Sequence, residues 1–301
     1  MSAPAIVPCL WFDDRAEAAA SFYVETVRAG RVTATTRYPS AIDNPSNKPR
    51  GSVLAVEFEL AGARFLAVNG GPLFTINPSI SFFLHTDSVA ETERLFDALA
   101  TGGKAMMPLG TYPWSERYGW VQDRFGVSWQ VMKRPPGAAG ATIVPCLLFV
   151  GARFGQAAAA LQAYAGIFPG GHVERLEHYA RGEGPTDMVK HGRVTLAGQA
   201  LIASDGPGEH AFSFNEAVSL QVQCDEQAEI DRYWAALAAG GEPGPCGWLK
   251  DRFGVSWQVA PRGLGTWLGS DDEAARDRTF AAMLAMGKLD VAALQAAFAG
   301  R

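Results

Sequence analysis

The nonapeptide DRFGVSWQV occurs twice in this chain, at residues 123–131 and again at 251–259. A second repeated segment, IVPCL, precedes each copy of the nonapeptide, at 6–10 and at 143–147. Self-similarity at a nearly constant spacing is typical of a tandem duplication. The repeated unit of about 130 residues has the length of an ordinary single domain. The sequence therefore predicts two copies of one architecture.

The duplication predicts two domains, a short connection and a tail. Their boundaries are a first domain over 1–134, a linker over 135–141, a second domain over 142–262 and a helical extension over 263–301. The linker reads PPGAAGA, and a run of proline, glycine and alanine is typical of a domain boundary. Apolar residues at helical spacing predict two helices in the extension, over 271–286 and 288–299.

Each repeat alternates between strand and helix patterns twice. In the first repeat, an apolar run over 5–12 predicts a buried strand, and an apolar stripe over 15–29 predicts an amphipathic helix. Three strands follow, and the pattern then restarts with a strand over 79–86 and a helix over 88–103. The second repeat gives the same order. Each repeat therefore reads as two β-α-β-β-β modules, which is an α+β architecture.

The composition excludes several classes of function. The chain is 48% hydrophobic and 19% charged, with a net charge of -5 and no lysine and arginine cluster of the kind that binds nucleic acid. Its longest apolar run, TIVPCLLFV at 142–150, is too short to span a membrane. The four cysteines fit no zinc spacing and no disulfide framework. We expect a cytoplasmic protein without an export signal and without nucleic-acid or membrane partners.

Several segments together resemble a known protein family. They are PCLWFDDRAEAAASFY at 8–23, RFLAVNGGP at 64–72, SISF at 79–82, AMLAMGKLDVAALQAAF at 282–298 and both copies of the nonapeptide. These segments resemble the PhnB-like branch of the vicinal oxygen chelate superfamily, whose domains are often labelled 3-demethylubiquinone-9 3-methyltransferase. Other branches include glyoxalase I, the bleomycin-resistance proteins and the extradiol dioxygenases. The resemblance covers nearly the whole chain.

The resemblance implies a specific architecture. It comprises two tandem vicinal-oxygen-chelate domains, each made of two β-α-β-β-β modules that form a half-open cup with a ligand inside. Single-unit relatives are expected to be homodimers, so the resemblance also implies a covalent pseudo-dimer. The chain could then be monomeric in solution.

Metal-dependent members of this superfamily hold a divalent ion with side chains on the first, fifth and eighth strands of a domain. Here those positions fall on Val7 or Pro8, Ile80 and Gln130 in the first domain, and on Val144 or Pro145, Val218 and Gln258 in the second. Only the two glutamines offer a donor atom, and a neutral amide oxygen is a weak ligand for a transition metal. We therefore expect no bound metal.

The glycine-rich turns do not predict a cofactor site either. NGGP at 69–72 and DGPG at 205–208 lie between strands that the pattern makes antiparallel. A nucleotide-like cofactor such as S-adenosylmethionine usually meets a glycine-rich turn that opens a helix after a parallel strand. We therefore expect no cofactor.

The nonapeptide is first of all a folding signal. Its DRFG segment is typical of a hairpin turn, in which aspartate bonds to the backbone and glycine takes a positive φ. The alternation of the strand that follows predicts that Gln130 faces the cup while Trp129 and its counterpart Trp257 face the core.

The two repeats differ most in the length of one loop. Between Gly103 and Asp123 lie 19 residues, whereas between Gly241 and Asp251 lie 9. The longer loop carries TYPWSERYG at 111–119, and aromatic side chains at the rim of a cup are candidates for ligand contact. We therefore expect the functional pocket in the first domain.

Two functions are consistent with these residues. The first is a metal-free protein of the glyoxalase or bleomycin-resistance type, which binds a small, partly apolar or aromatic molecule. The second is a metal-independent isomerase, epimerase or lyase that uses His85 or Glu116 for acid–base catalysis, with Asp123 as a further candidate. The candidate ligand-binding residues are Asn69, Phe83, Trp114, Tyr118, Trp120 and Gln130.

Overall fold

The computed structural model describes residues 4–41 and 43–301. The elements of the first repeat are β1 (Ala5–Phe12), α1 (Ala16–Val27), β2 (Gly30–Arg37), β3 (Val53–Leu60), β4 (Ala63–Asn69), β5 (Ile80–Thr86), α2 (Val89–Ala100), β6 (Lys104–Tyr112), β7 (Ser115–Gln122) and β8 (Ser128–Lys133). The elements of the second repeat are β9 (Ile143–Phe149), α3 (Ala157–Ile167), β10 (His172–His178), β11 (Val189–Leu196), β12 (Gln199–Asp205), β13 (Val218–Cys224), α4 (Gln227–Ala238), β14 (Glu242–Pro243), β15 (Trp248–Lys250) and β16 (Ser256–Pro261). The extension adds α5 (Leu264–Leu268), α6 (Glu273–Leu284) and α7 (Val291–Ala299).

The element order confirms the α+β class and the two β-α-β-β-β modules in each repeat. Local signals set several boundaries; for example, the Ser88 side chain accepts a hydrogen bond from the N–H of Glu91 at 3.2 Å and caps α2. The pattern did not predict α5, because five residues are too few to show a helical period. No helix in the described ranges is long and apolar enough to cross a membrane.

The strands form two open eight-stranded sheets, and each sheet combines both repeats. The first sheet has the order β14-β15-β16-β13-β1-β4-β3-β2, and the second has the order β10-β11-β12-β9-β5-β8-β7-β6. The repeats meet where β1 pairs antiparallel with β13 and where β5 pairs antiparallel with β9. We name the side of each sheet opposite its helices the first cup and the second cup. The chain is thus laid out as a pseudo-dimer.

This strand order corrects one expectation about the cups. The two modules of a repeat were expected to share one cup, but each cup takes one module from each repeat. The physical reason is that β1 and β9 carry the same IVPCL sequence, so the edge that β1 offers to β13 matches the edge that β9 offers to β5. Local pattern therefore does not distinguish the two ways of pairing the modules.

The two modules of one repeat still pack together, through the sides that carry their helices. In the first repeat, Phe65 of β4 meets Phe82 of β5 with ring centroids 5.2 Å apart. Tyr23 of α1 meets Trp129 of β8 at 5.3 Å. Trp129 is 1% exposed, as expected for a core residue. Each repeat therefore keeps one continuous core while it contributes to both cups.

The aspartate of the nonapeptide connects these two modules. Asp123 Oδ1 accepts hydrogen bonds from the backbone N–H of Phe125 at 2.8 Å and of Val127 at 3.1 Å, which closes the turn. Asp123 Oδ2 accepts from the hydroxyl of Tyr23 at 2.8 Å and from Nε1 of Trp129 at 2.9 Å. Burial raises the pKa of the Asp123 carboxyl, and these four hydrogen bonds oppose the rise. We name this arrangement the carboxylate joint.

The second repeat contains the same joint. Asp251 Oδ2 accepts from the hydroxyl of Tyr164 at 2.6 Å and from Nε1 of Trp257 at 2.8 Å. Its Oδ1 accepts the backbone N–H groups of Phe253 and Val255 at 2.8 and 3.0 Å. The nonapeptide is therefore repeated because each copy joins a module of the first sheet to a module of the second.

The C-terminal extension lies across the first cup. At one edge, Phe280 of α6 meets Tyr38, which follows β2, in an edge-to-face ring contact of 6.2 Å. At the other edge, the backbone N–H of Cys246 donates to the carbonyl of Met286 at 2.7 Å. Leu264 of α5 packs in the cluster that includes Ala260 of β16. The extension therefore contacts both edges of the first sheet.

Candidate functional site

The inward face of the second sheet is apolar and includes several aromatic side chains. Phe83 on β5 and Tyr118 on β7 are buried in an apolar cluster, with Trp120 packed against them. The second repeat completes the cluster with Cys146 and Ile202. The neighbouring residues along β5 and β8 face the core instead, as strand alternation requires. The second cup therefore has an apolar floor drawn from both repeats.

A chain of hydrogen bonds crosses this floor. The hydroxyl of Tyr118 donates to Oε1 of Gln130 at 2.7 Å, and Nε2 of Gln130 donates to Oγ of Ser81 at 2.8 Å. Nε1 of Trp120 donates to Oγ of Ser128 at 2.6 Å. Burial raises the pKa of the Tyr118 hydroxyl, so this group stays protonated and keeps its role as donor. The polar groups are thus held in fixed orientations.

The long loop of the first repeat forms the rim of the second cup. It is the hairpin between β6 and β7, where Trp114 stacks on Tyr112 at 5.0 Å and meets Tyr118 edge-on at 5.9 Å. The ammonium of Lys190, on β11 of the second repeat, lies 5.9 Å from the centre of the Trp114 ring. Trp114 is 49% exposed. The hairpin therefore reaches from one repeat to the other over the mouth of the cup.

Two histidines flank Phe83 in this cup. The ring of His85 stacks on Phe83 at 5.7 Å, and the ring of His191 meets Phe83 edge-on at 6.1 Å. Burial, and then the nearby Arg134, lowers the pKa of His85 to about 4. Burial also lowers the pKa of His191. Both imidazoles are therefore neutral near pH 7.

His191 is a site residue that sequence reasoning missed. It has no histidine counterpart in the first repeat, and it lies in β11, far along the chain from β5. Only the strand order, in which β5 and β11 belong to one sheet, brings it next to Phe83. The sequence could have pointed to His191 as a site residue only if the modules that share a cup had been known.

The lowered pKa of His85 predicts a pH-dependent stability. As the pH falls below about 6.5, the unfolded chain takes up a proton at this residue before the folded protein does, so stability decreases from there down to about pH 4. His85→Gln, which installs the residue found at the equivalent position Gln223, should make the free energy of unfolding less dependent on pH. Urea unfolding at pH 7 and at pH 4.5 measures this, and an unchanged pH dependence would contradict the assignment.

The remaining sequence candidates lie elsewhere. Asn69 is at the end of β4 in the first sheet, where its Oδ1 accepts the N–H of Ala16 at 2.8 Å and its Nδ2 donates to the carbonyl of Val53 at 3.0 Å. It therefore holds the start of α1 in place. Glu116, on β7, is paired with Lys133 and its side chain is 62% exposed. The fold thus brings together Phe83, His85, Trp114, Tyr118, Trp120 and Gln130 in the second cup.

The first cup differs from the second in chemistry. Its floor carries a polar chain in which Arg64 Nη1 donates to Gln223 at 2.9 Å, and Gln223 donates to Gln221 at 3.0 Å. Gln221 in turn donates to Gln258 at 3.1 Å. A cavity of about 20 Å³ lies among Arg64, Gln221 and Gln223, which is close to the space of one water molecule.

The candidate metal positions do not fit a metal ion. Ile80 and Val218 face the core, and the amides of Gln130 and Gln258 are already bonded to serine side chains of their own sheets. Within residues 4–41 and 43–301, no group of three or more His, Cys, Asp and Glu side chains is placed to hold an ion.

The glycine pair of NGGP has a packing role. Nε1 of Trp11 donates to the carbonyl of Gly71 at 2.8 Å. A Cβ on Gly70 would lie 2.1 Å from the Trp11 ring, so only glycine fits beneath it. The indole of Trp11, on β1, therefore fills the space beside this turn.

Comparison with known proteins finds a matching family model and several similar solved structures. The family model described as 3-demethylubiquinone-9 3-methyltransferase matches residues 4–132 and 141–260. The PhnB protein from Bacillus cereus is 31% identical over 42% of this chain and 98% of its own, with a TM-score of 0.39. A protein from Pseudomonas aeruginosa is 31% identical over 42% of this chain and 94% of its own, with a TM-score of 0.35.

One longer match concerns the fold alone. Glyoxalase I from Zea mays is 13% identical over 85% of this chain and 92% of its own, with a TM-score of 0.52. None of the curated protein sequences compared matches the chain. The two matched segments of the family model coincide with the two repeats.

Proposed function

The chain belongs to the 3-demethylubiquinone-9 3-methyltransferase family, in two tandem copies with the vicinal oxygen chelate fold, and from this premise we propose that it binds a small, partly apolar or aromatic molecule in its second cup without a metal ion. The observation that carries the proposal is the gathering of Phe83, Tyr118 and Trp120 on one inward face, with Trp114 over the mouth. Ligand pockets are mostly apolar and aromatic, with a few polar groups that fix orientation.

The polar groups of the second cup suit such a ligand. Gln130 is held by Tyr118 and Ser81, so its amide is positioned rather than free to rotate. Each aromatic contact of a planar ligand contributes about 0.5–1.5 kcal/mol beyond the area it buries. An aromatic cup with a small oriented polar centre therefore selects planar molecules that carry one or two polar atoms.

The contrast between the two cups supports the choice of the second. The C-terminal extension covers the first cup, where the carboxylate of Glu57 comes close to α5 at Gly265. The Phe280–Tyr38 contact and the hydrogen bond of Cys246 to Met286 hold this extension at both edges of the first sheet. The functional pocket was expected in the first domain because of the aromatic loop at 111–119. That loop lies at the rim of the second cup, so the second cup is the proposed pocket.

The packing of the NGGP turn does not favour methyl transfer. The glycine pair that could contact a nucleotide-like cofactor is packed beneath Trp11 instead. A second candidate function is a metal-independent isomerase, epimerase or lyase. It is favoured by the position of His85 and His191, whose imidazoles both lie against Phe83 in the second cup, because histidine is the side chain that most often transfers protons in enzymes.

A tryptophan substitution tests the binding site. Trp114→Ala should weaken binding of the fluorescent probe 8-anilinonaphthalene-1-sulfonate about five- to tenfold, since one aromatic face is lost. The matched control is Trp234→Ala on α4, which lies on the first sheet and should leave the affinity unchanged. Equal loss in both variants, or no loss in either, would place the probe outside the second cup.

Native mass spectrometry of protein taken directly from its host would identify a co-purified molecule. With that molecule in hand, conversion to a product that is lost in His85→Gln while binding persists would establish the second candidate. Binding without conversion would establish the first.

The donor set predicts that binding needs no metal. Elemental analysis of purified protein should find no stoichiometric zinc, nickel or iron, and dialysis against EDTA should leave the affinity for the probe unchanged. The reason is that hydrocarbon or already bonded amide side chains occupy the ligand positions. One metal ion per cup, lost together with binding, would contradict the prediction.

A further inference from the structure

A cavity of about 310 Å³ lies where the first module of one repeat faces the first module of the other. Its walls are equivalent segments of the two repeats: the start of β1 with the β3–β4 turn, and the start of β9 with the β11–β12 turn. Small and apolar side chains line most of it, among them Ala5, Ala61, Ala63, Pro145 and Ala200. The volume is in the range of small-molecule sites.

One wall of this cavity carries a side-chain amide that completes a strand edge. Oε1 of Gln199 accepts the backbone N–H of Ile6 at 2.6 Å, and Nε2 of Gln199 donates to the carbonyl of Ile6 at 2.9 Å. Strand β4 joins β1 only from the pair Cys9 and Leu66 onward. The amide therefore takes the place of a neighbouring strand at Ile6.

The opposite wall lacks this amide. The repeat alignment puts Ala63 where the second repeat has the glutamine, and Ile143 where the first repeat has the isoleucine. Both residues line the cavity. Alanine has no polar atom in its side chain, so it cannot satisfy the backbone of Ile143.

The backbone of Ile143 points toward this wall. The carbonyl of Thr142 accepts the N–H of His85 at 2.8 Å and so faces β5. Because backbone groups alternate along a strand, Ile143 directs its N–H and carbonyl to the other side. On that side, β12 pairs with β9 only from Cys146 onward. Apart from the ladder bonds between strands, the described part of the chain contains no hydrogen bond from the N–H of Ile143 to a backbone acceptor.

We propose that this cavity is a second binding site, for a small apolar molecule that bears a primary carboxamide. The carboxamide oxygen accepts the N–H of Ile143, and the carboxamide NH₂ donates to the carbonyl of Ile143. The apolar body of the ligand fills the space beside Ala63 and Ala200. The ligand thus reproduces at Ile143 the contact that Gln199 makes with Ile6.

Benzamide is the probe for this site, because it joins a primary carboxamide to a small apolar ring. Titration into ¹⁵N-labelled protein should shift the backbone amide resonance of Ile143. Ala63→Gln supplies the missing amide from the chain and should weaken benzamide binding at least about tenfold. N,N-dimethylbenzamide keeps the acceptor but has no N–H donor, and it should also bind about tenfold more weakly.

The matched variant Gln199→Ala works in the opposite direction. It releases the backbone of Ile6 and should create a second benzamide site, seen as a new shift at the amide of Ile6. An Ile143 resonance that does not move at saturating benzamide would overturn the proposal, and so would an Ala63→Gln variant with unchanged affinity. If Ala63→Gln fails to fold, Gln199→Ala alone decides: no new shift at Ile6 refutes the proposal.

Discussion

Asp123→Ala is expected to lower the free energy of unfolding by about 3–5 kcal/mol, because each buried donor left without its acceptor costs about 1–3 kcal/mol. The carboxylate is 4% exposed and accepts four hydrogen bonds. Without it, the Tyr23 hydroxyl and the Trp129 Nε1 are left as buried donors. Denaturant unfolding followed by circular dichroism measures the change.

The duplication supplies a matched experiment for this joint. Asp251→Ala should cost about as much, since Asp251 accepts the same four kinds of hydrogen bond at 2.6–3.0 Å. Asp14→Ala, at an exposed position, should change stability by less than about 0.5 kcal/mol. A cost at Asp123 no larger than at Asp14 would mean that the turn and the two modules are held by apolar packing alone.

Trp129→Ala should destabilise the fold by about 3–5 kcal/mol, as expected for truncation of a fully packed core aromatic. The ring lies 5.3 Å from Tyr23 and 5.4 Å from Phe82, so the cavity would open between the two modules of the first repeat. Trp114→Ala is the comparison, because that ring is 49% exposed and its loss should cost far less stability. Thermal unfolding of both variants measures the difference. Equal losses of stability would contradict the assignment of Trp129 to the core and of Trp114 to the rim.

Strand alternation was enough to predict which residues turn inward. The alternation of SWQV predicted that Gln130 faces the cup and that Trp129 faces the core, and the hydrogen bond of Gln130 to Ser81 agrees with this. The turn role of DRFG was likewise readable, because aspartate and glycine are typical of such turns. These features depend on neighbours within a few residues.

The contacts between distant segments were not readable in the same way. The sequence did not reveal that Asp123 bonds Tyr23, because nothing local connects the hairpin turn with α1. The inclusion of His191 in the second cup depends on which modules share a sheet, and that choice involves two nearly identical strand edges. The covering of the first cup by the extension is also a long-range contact, and helical periodicity says only that an apolar face exists.

The exchange of modules between the sheets has a consequence for how the protein is made. During synthesis the second sheet can be completed once β12 has left the ribosome, since its eight strands, β5 to β12, lie between Ile80 and Asp205. The first sheet begins with β1 but must wait for β13, where Ala5 pairs with Gln223. Until then, the first module emerges with an open edge, which is a hazard for association with other nascent chains. A chaperone that binds early during translation should therefore protect the open edge of β1 for longer than that of β5, whose partner β9 is made first.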